Sequence, residues 1–203
     1  MLPFGSPGGV AWRKGQQWLA NTREETAMKS NSIMALAIAL SSAVIAGIGL
    51  AAQDRFTVTV PDGLSFAEFR GYETWQFVAV SATDSGIKVI AANPAMIDAY
   101  RAGVPGNGRP FPEGSMIVKI EWAQQRSAES PYSVTVPGVL RSVSFIEKDS
   151  QRFPDTAGWA YVQFSYDAGS DTFRPSVSGT ACGHACHTTV AAKDYIFTAY
   201  PVR

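Results

Sequence analysis

The sequence predicts a mainly β (α+β) domain: an antiparallel β-sheet carrying one or two short helices. Three observations predict it. From Phe56 onward, apolar residues mostly alternate with a period of two, in short runs separated by Gly, Pro, Asp and Ser, the pattern of half-buried strands. One segment, Pro94 to Ala102, has helical spacing with start and stop signals. The residues before Gln53 are set apart by composition, which leaves 53–203 as a single stretch of ordinary domain length.

The leader comes first. Ile33 to Ala52 is uncharged and rich in Ala, Ile and Leu, Lys29 precedes it, and Leu50-Ala51-Ala52 closes it with small residues. A basic start, an apolar middle and a small-residue end describe a secretory signal peptide over 28–52. Met28 is then the expected translation start, and 1–27 an over-extended start or a long basic region. An uncleaved anchor is the alternative, because about 20 apolar residues span a bilayer; Gly47 and Gly49 weaken such a helix. Either way the domain is expected outside the cytoplasm, periplasmic or anchored facing the periplasm. Of 17 basic and 17 acidic residues, Arg13, Lys14, Arg23 and Lys29 with Glu24 and Glu25 belong to the leader. The domain therefore carries a net charge of −2, which gives no reason to expect nucleic acid as a partner.

The elements follow in order. Phe56-Thr-Val58-Thr-Val60 alternates as a short strand, and Thr74 to Val80 as a second. Ile87 to Ala92 is a third, reached through the turn residues Asp84-Ser85-Gly86. Pro94 opens the helix, Ala95, Met96 and Ala99 take helical spacing, and Gly103 ends it. Further strands are expected at Ser115 to Trp122, at Tyr132 to Glu147 with a bend near Pro137-Gly138, and at Gly158 to Tyr166. Asp167 to Thr180 reads as a loop, and Tyr195 to Tyr200 as a closing strand.

The chemistry is concentrated in that loop's continuation. Both cysteines and both histidines fall within Cys182-Gly-His184-Ala-Cys186-His187. A Cys followed directly by His, with a second Cys just upstream, resembles the C-x-x-C-H signature of c-type haem attachment. There two thiols add across the porphyrin vinyl groups and the adjacent imidazole ligates iron. The spacer here is three residues, so one residue is expected to bulge, with Gly183 supplying the freedom. Two other readings stay open: a Cys182–Cys186 disulfide in a haem-free secreted β protein, and a different metal, against which four ligands in six residues would crowd. His184, between the cysteines, is expected to point away from an iron held by His187.

Four segments together resemble the cytochrome P-460 family, which includes the β-type cytochromes c′. They are Tyr72-Glu-Thr-Trp75; Phe111-Pro-Glu-Gly-Ser-Met-Ile-Val-Lys119; Lys148 to Phe153 with Gly158-Trp159-Ala160; and Cys182 to His187 with Asp194 to Thr198. The resemblance implies a homodimeric, largely β, periplasmic mono-haem protein that binds nitric oxide or oxidises hydroxylamine, passing electrons to a soluble partner. It implies that Cys182 and Cys186 hold the haem and His187 ligates the iron, with an open face for a small ligand. Lys119 maps onto the lysine that the P-460 branch joins to a porphyrin meso carbon; the β-type cytochromes c′ lack that bond. By periodicity alone Lys119 belongs with Ser115, Ile117 and Glu121 on a solvated face, so residue pattern and resemblance pull apart here. The distal carboxylate of hydroxylamine-oxidising members maps to Ser144, and the nearest acid, Glu147, faces the other side of the strand. That moves the expectation towards gas binding and leaves the catalytic residues unassigned. Trp75, Phe153 and Trp159 read as core, Arg152 as a surface residue that a haem propionate could recruit, and Tyr195 and Phe197 as pins for the cysteine segment.

Overall fold

The computed structural model describes residues 52–60, 63–176 and 179–203. The expected leader lies outside the described residues apart from Ala52. No helix among the described residues is long and apolar enough to cross a membrane.

Six strands form one antiparallel sheet in sequence order: β1 (Gln76–Thr83), β2 (Gly86–Ala92), β3 (Met116–Arg126), β4 (Thr135–Lys148), β5 (Trp159–Asp167) and β6 (Thr172–Pro175). Consecutive strands pair throughout this meander: tight turns join β1 to β2 and β5 to β6, while the β2–β3 connection is long and carries a helix. The bend expected near Pro137-Gly138 is present: the β3–β4 register slips between Trp122 and Gln124, opposite Leu140 and Pro137. Helix α1 (Pro94–Arg101) starts as its sequence dictates. Asn93 caps it by accepting from the Met96 amide at 3.2 Å, with Pro94 at the first helical position. The Asn93 side chain also accepts from Met116 N and donates to Gly114 O, tying the helix start to β3.

Both faces of the sheet are covered, and this decides where the site lies. On one face Phe66, Phe69, Val118, Val143, Phe145, Val162 and Phe164 pack into an aromatic-rich core, with Phe69 stacked on Phe145 at 4.0 Å between centroids. Each such side chain, fully withdrawn from water, contributes about 1.5–3 kcal/mol. On the other face α1 and the C-terminal segment bury Ile90, Ala92, Ile117, Trp159, Tyr161 and Ile196. The alternation read from the sequence is real, but over the centre of the sheet neither side of it is solvent; β1 and the first half of β4 keep exposed residues. The face of Ser115, Ile117, Lys119 and Glu121 is therefore not a solvated one: Ser115 and Ile117 are buried and Lys119 half-buried.

Four elements differ from the sequence expectation. Phe56–Val60 is no strand: Asp54 caps a 3-10 turn over Arg55–Thr57, and Phe56 packs on Phe66 instead of on a neighbouring strand. The expected loop 167–180 contains β6, a four-residue edge strand whose alternation is too short to stand out. Cys182 to His187 lies on a helix, α2 (Gly179–His187), which continues as a 3-10 turn over Thr188–Lys193. Tyr195 to Tyr200 follows as extended coil, because Asp194 (φ 49°) and Tyr195 (φ 63°) sit in the left-handed region and turn the chain out of line with the sheet.

Candidate functional site

Helical geometry explains how the cysteine segment is presented. Residues four apart on a helix lie one above the other on the same face, so Cys182 and Cys186 share a side of α2 and His187 follows one position on. Both cysteines are free and exposed thiols. No bulge is needed. Gly183 has another purpose: a Cβ there would sit 2.6 Å from Cγ and 3.1 Å from Cδ1 of Tyr161. The missing side chain lets α2 lie directly on the Tyr161 ring of β5.

The sheet supplies the floor beneath this helix. Ile90, Lys119, Ser144 and Gln163 are cross-strand neighbours on β2, β3, β4 and β5, and Ile117, Ile146 and Tyr161 form the next row. Together with Cys182, Cys186 and His187 from α2, and Ile196 and Phe197 from the C-terminal segment, these rows line a cavity of about 510 Å³. That size is typical of a site for a cofactor or drug-sized ligand. The structure thus brings the four sequence-predicted site residues, Cys182, Cys186, His187 and Lys119, to one cavity.

The electrostatics are set by burial. His187 donates from Nδ1 to the Tyr195 carbonyl at 2.6 Å. A carbonyl only accepts, so Nδ1 carries the proton and Nε2 is left as the available lone pair. Burial holds the His187 pKa below the usual imidazole value; the hydrogen bond to Tyr195 opposes it, and the neighbouring Lys119 and His184 charges add to the lowering. The neutral, ligating form is therefore favoured. Lys119 is likewise lowered, first by burial and then by the Lys88 ammonium, with Glu121 opposing. An amine whose charge is disfavoured is closer to a nucleophile. Ser144 Oγ and Tyr161 Oη are buried without hydrogen-bond partners, polar atoms of residues that line the cavity. None of the described lining residues is Asp or Glu.

The remaining candidates fall elsewhere. His184 does not line the cavity; its ring lies 5.0 Å from that of Tyr195, as expected of a spacer. Arg152 pairs with Glu68 at 2.6 Å and with Glu147 at 3.8 Å, away from the cavity. Glu147 is itself buried, paired with Ala160 across the sheet on the side of the strand opposite Ser144. Trp159 is fully buried, and Trp75 and Phe153 pack against the aromatic core. Tyr195 pins the segment, but through its backbone carbonyl. Phe197 is half exposed and lines the cavity with its ring centroid 4.8 Å from that of His187, so it is a wall of the site and not only an anchor.

One group escaped sequence reasoning altogether. Lys148 and Asp194 form a buried ion pair at 2.9 Å, and Asp194 also accepts from Trp159 Nε1 at 3.2 Å and from the Phe111 amide at 2.8 Å. All four residues lie in the segments singled out above, which was the only available signal. Nothing in their local pattern says that they meet.

The residues present fit a haem. Two thiols on one helix face and an oriented imidazole border a largely apolar cavity of adequate size, and unpaired polar atoms line it. No group of three or more His, Cys, Asp or Glu among the described residues is placed to hold a bare metal ion. Compared with known proteins, the chain matches no curated sequence. A family model described as Cytochrome P460 matches residues 69–198.

Proposed function

The chain belongs to the cytochrome P460 family, and from that premise we propose that it is an exported mono-haem c-type cytochrome that captures small nitrogen ligands, nitric oxide foremost, at an open iron face. Family membership makes it a haem-binding cytochrome. The observation that carries the finer reading is the meeting of Cys182, Cys186, His187 and Lys119 at one cavity. A haem held there supplies a redox-active iron at which such ligands bind.

The chain's own residues have separate tasks. Cys182 and Cys186, one helical turn apart, would each add a thiol across a vinyl group and fix the macrocycle to α2. His187, oriented by the Tyr195 carbonyl, would offer Nε2 to the iron. The other imidazole, His184, lies packed near Tyr195 and does not line the cavity, so it would not hold the iron. Ile90, Ile117 and Ile196 exclude water, while Ser144 and Gln163 offer the cavity its neutral polar groups. Lys119 is the candidate for a bond to the porphyrin rim, since burial favours its neutral amine.

Capture is favoured over oxidation for a stated reason. Hydroxylamine oxidation needs a group to accept protons, and Ser144 stands where a carboxylate would serve. The second reading, a hydroxylamine-oxidising enzyme that passes electrons to a soluble partner, would need a different acceptor. A homodimer is the expected assembly in either case. The test is to titrate the matured ferrous protein with nitric oxide, and to supply hydroxylamine with an artificial electron acceptor. Saturable spectral change with nitric oxide and no sustained acceptor reduction is expected. Sustained reduction would establish the enzyme reading, and no spectral response to either ligand would end both.

A further inference from the structure

We infer that Asp194 is a positioning residue for His187: its carboxylate fixes the turn that holds the Tyr195 carbonyl against the imidazole, and so sets how strongly that ring donates to iron. This rests on the reading of His187 as axial ligand and goes beyond it.

The turn is one the chain would not adopt unaided. Asp194 and Tyr195 are successive non-glycine residues with positive φ, a conformation that L-residues visit singly. Such a pair persists only where its surroundings over-determine it. Three backbone hydrogen bonds, from the Asp194, Tyr195 and Ile196 amides to the Ala191, Val190 and Lys193 carbonyls, close the turn on itself; what ties it to the sheet is the set of contacts of one carboxylate. Asp194 Oδ1 accepts from Lys148 Nζ at 2.9 Å and from Trp159 Nε1 at 3.2 Å, while Oδ2 accepts from the Phe111 amide at 2.8 Å and from Lys148 Nζ at 3.2 Å. Lys148 is anchored in turn by the Ala157 carbonyl at 3.2 Å. The clamp thus joins the end of β4, the start of β5 and the segment before β3 to the residue directly preceding Tyr195.

What that turn delivers is the 2.6 Å hydrogen bond from His187 Nδ1 to the Tyr195 carbonyl. Partners of this kind fix ring orientation and raise the basicity of a metal-bound imidazole. A buried ion pair is by itself weak evidence of a stabilising role; its placement one residue from the acceptor carbonyl gives it a specific one. Asp194 does not line the cavity and acts only through the turn.

The experiment uses matured, haem-loaded protein. Asp194→Ala removes the clamp. The double variant Lys148→Met with Asp194→Leu also removes it while leaving no lone buried charge, so a folded sample is obtained even if the single variant fails. The readouts are the iron–histidine stretching band of the ferrous protein and the midpoint potential, recorded beside thermal unfolding. Expected are a band shifted to lower frequency and a raised potential in each folded variant, because a looser Tyr195 carbonyl weakens imidazole donation. Wild-type band and potential, whatever happens to the unfolding temperature, would overturn the inference and leave Asp194 a structural residue. His187→Ala separates the two layers: loss of the band upholds the axial assignment, and its persistence would bring down that assignment instead.

Discussion

Gly183→Ala sets two effects of opposite sign against each other. In a helix interior, alanine is worth about 0.8–1 kcal/mol more than glycine, so an unpacked α2 would be stabilised by the change. The new Cβ, however, would lie 2.6 Å from Tyr161 Cγ and 3.1 Å from Cδ1, well inside van der Waals contact. Tyr161 has little room to yield: it is 6% exposed, is paired within β5, and its ring centroid is 4.6 Å from that of His187. Overpacking of a well-filled site costs about 1–3 kcal/mol. The net expectation is a loss of about 0–2 kcal/mol, with α2 pushed off the sheet. In a domain of this size that is a fall in melting temperature of roughly 0–8 °C, at about 2–4 °C per kcal/mol. Differential scanning calorimetry of the variant reads the first quantity, and haem content per protein, which should fall with helix displacement, reads the second. A melting temperature above wild type with full haem content would mean that α2 does not press on Tyr161, and the site as described would be wrong.

Two further substitutions probe the two faces of the sheet. Burial raises the Glu147 pKa above its ordinary value, with Glu68 adding to the effect and Arg152 opposing it. A raised folded pKa contributes stability that is present below the unfolded value and lost as pH rises through the folded one. Glu147→Gln, which mimics the protonated form, should therefore raise the melting temperature at pH 7 by roughly 1–4 °C and lose that advantage near pH 4; equal melting curves at both pH values would contradict it. Lys119→Ala tests the cavity lysine. If Lys119 is bonded to the porphyrin, the ferrous absorption band should move to shorter wavelength in the variant; an unchanged c-type spectrum would place the protein with the lysine-free branch.

Much of the sheet was legible because period-two alternation reports strands whichever face is covered, and the five longest strands fall close to where the pattern puts them. What the pattern could not tell was the depth of burial on each face. Lys119 alternates as a solvated residue would, yet α2 and the Ile196–Phe197 segment, brought back from the far end of the chain, close over that face. Local periodicity carries no information about such a return. The α2 helix was hidden for a related reason. Gly183 and the histidines depress its intrinsic propensity, and its stability comes from docking on Tyr161. The Tyr195–Tyr200 strand failed because two positive-φ residues at the end of the 3-10 turn lead the chain away from the sheet; β-propensity was overridden by tertiary structure. The candidate residues were more legible than the cavity they border, since both thiols and both imidazoles are confined to six residues.

The most direct measurement is the mass of the proteolytic fragment carrying Cys182, Cys186 and His187, taken from protein matured in a host that attaches haem to cytochromes. A covalently held macrocycle should appear as one added haem on that fragment, lost from it in the Cys182→Ser and Cys186→Ser double variant. A fragment of unmodified mass with two free thiols, or one lighter by two hydrogens with its sulfurs joined, would contradict the assignment of this helix as the haem anchor.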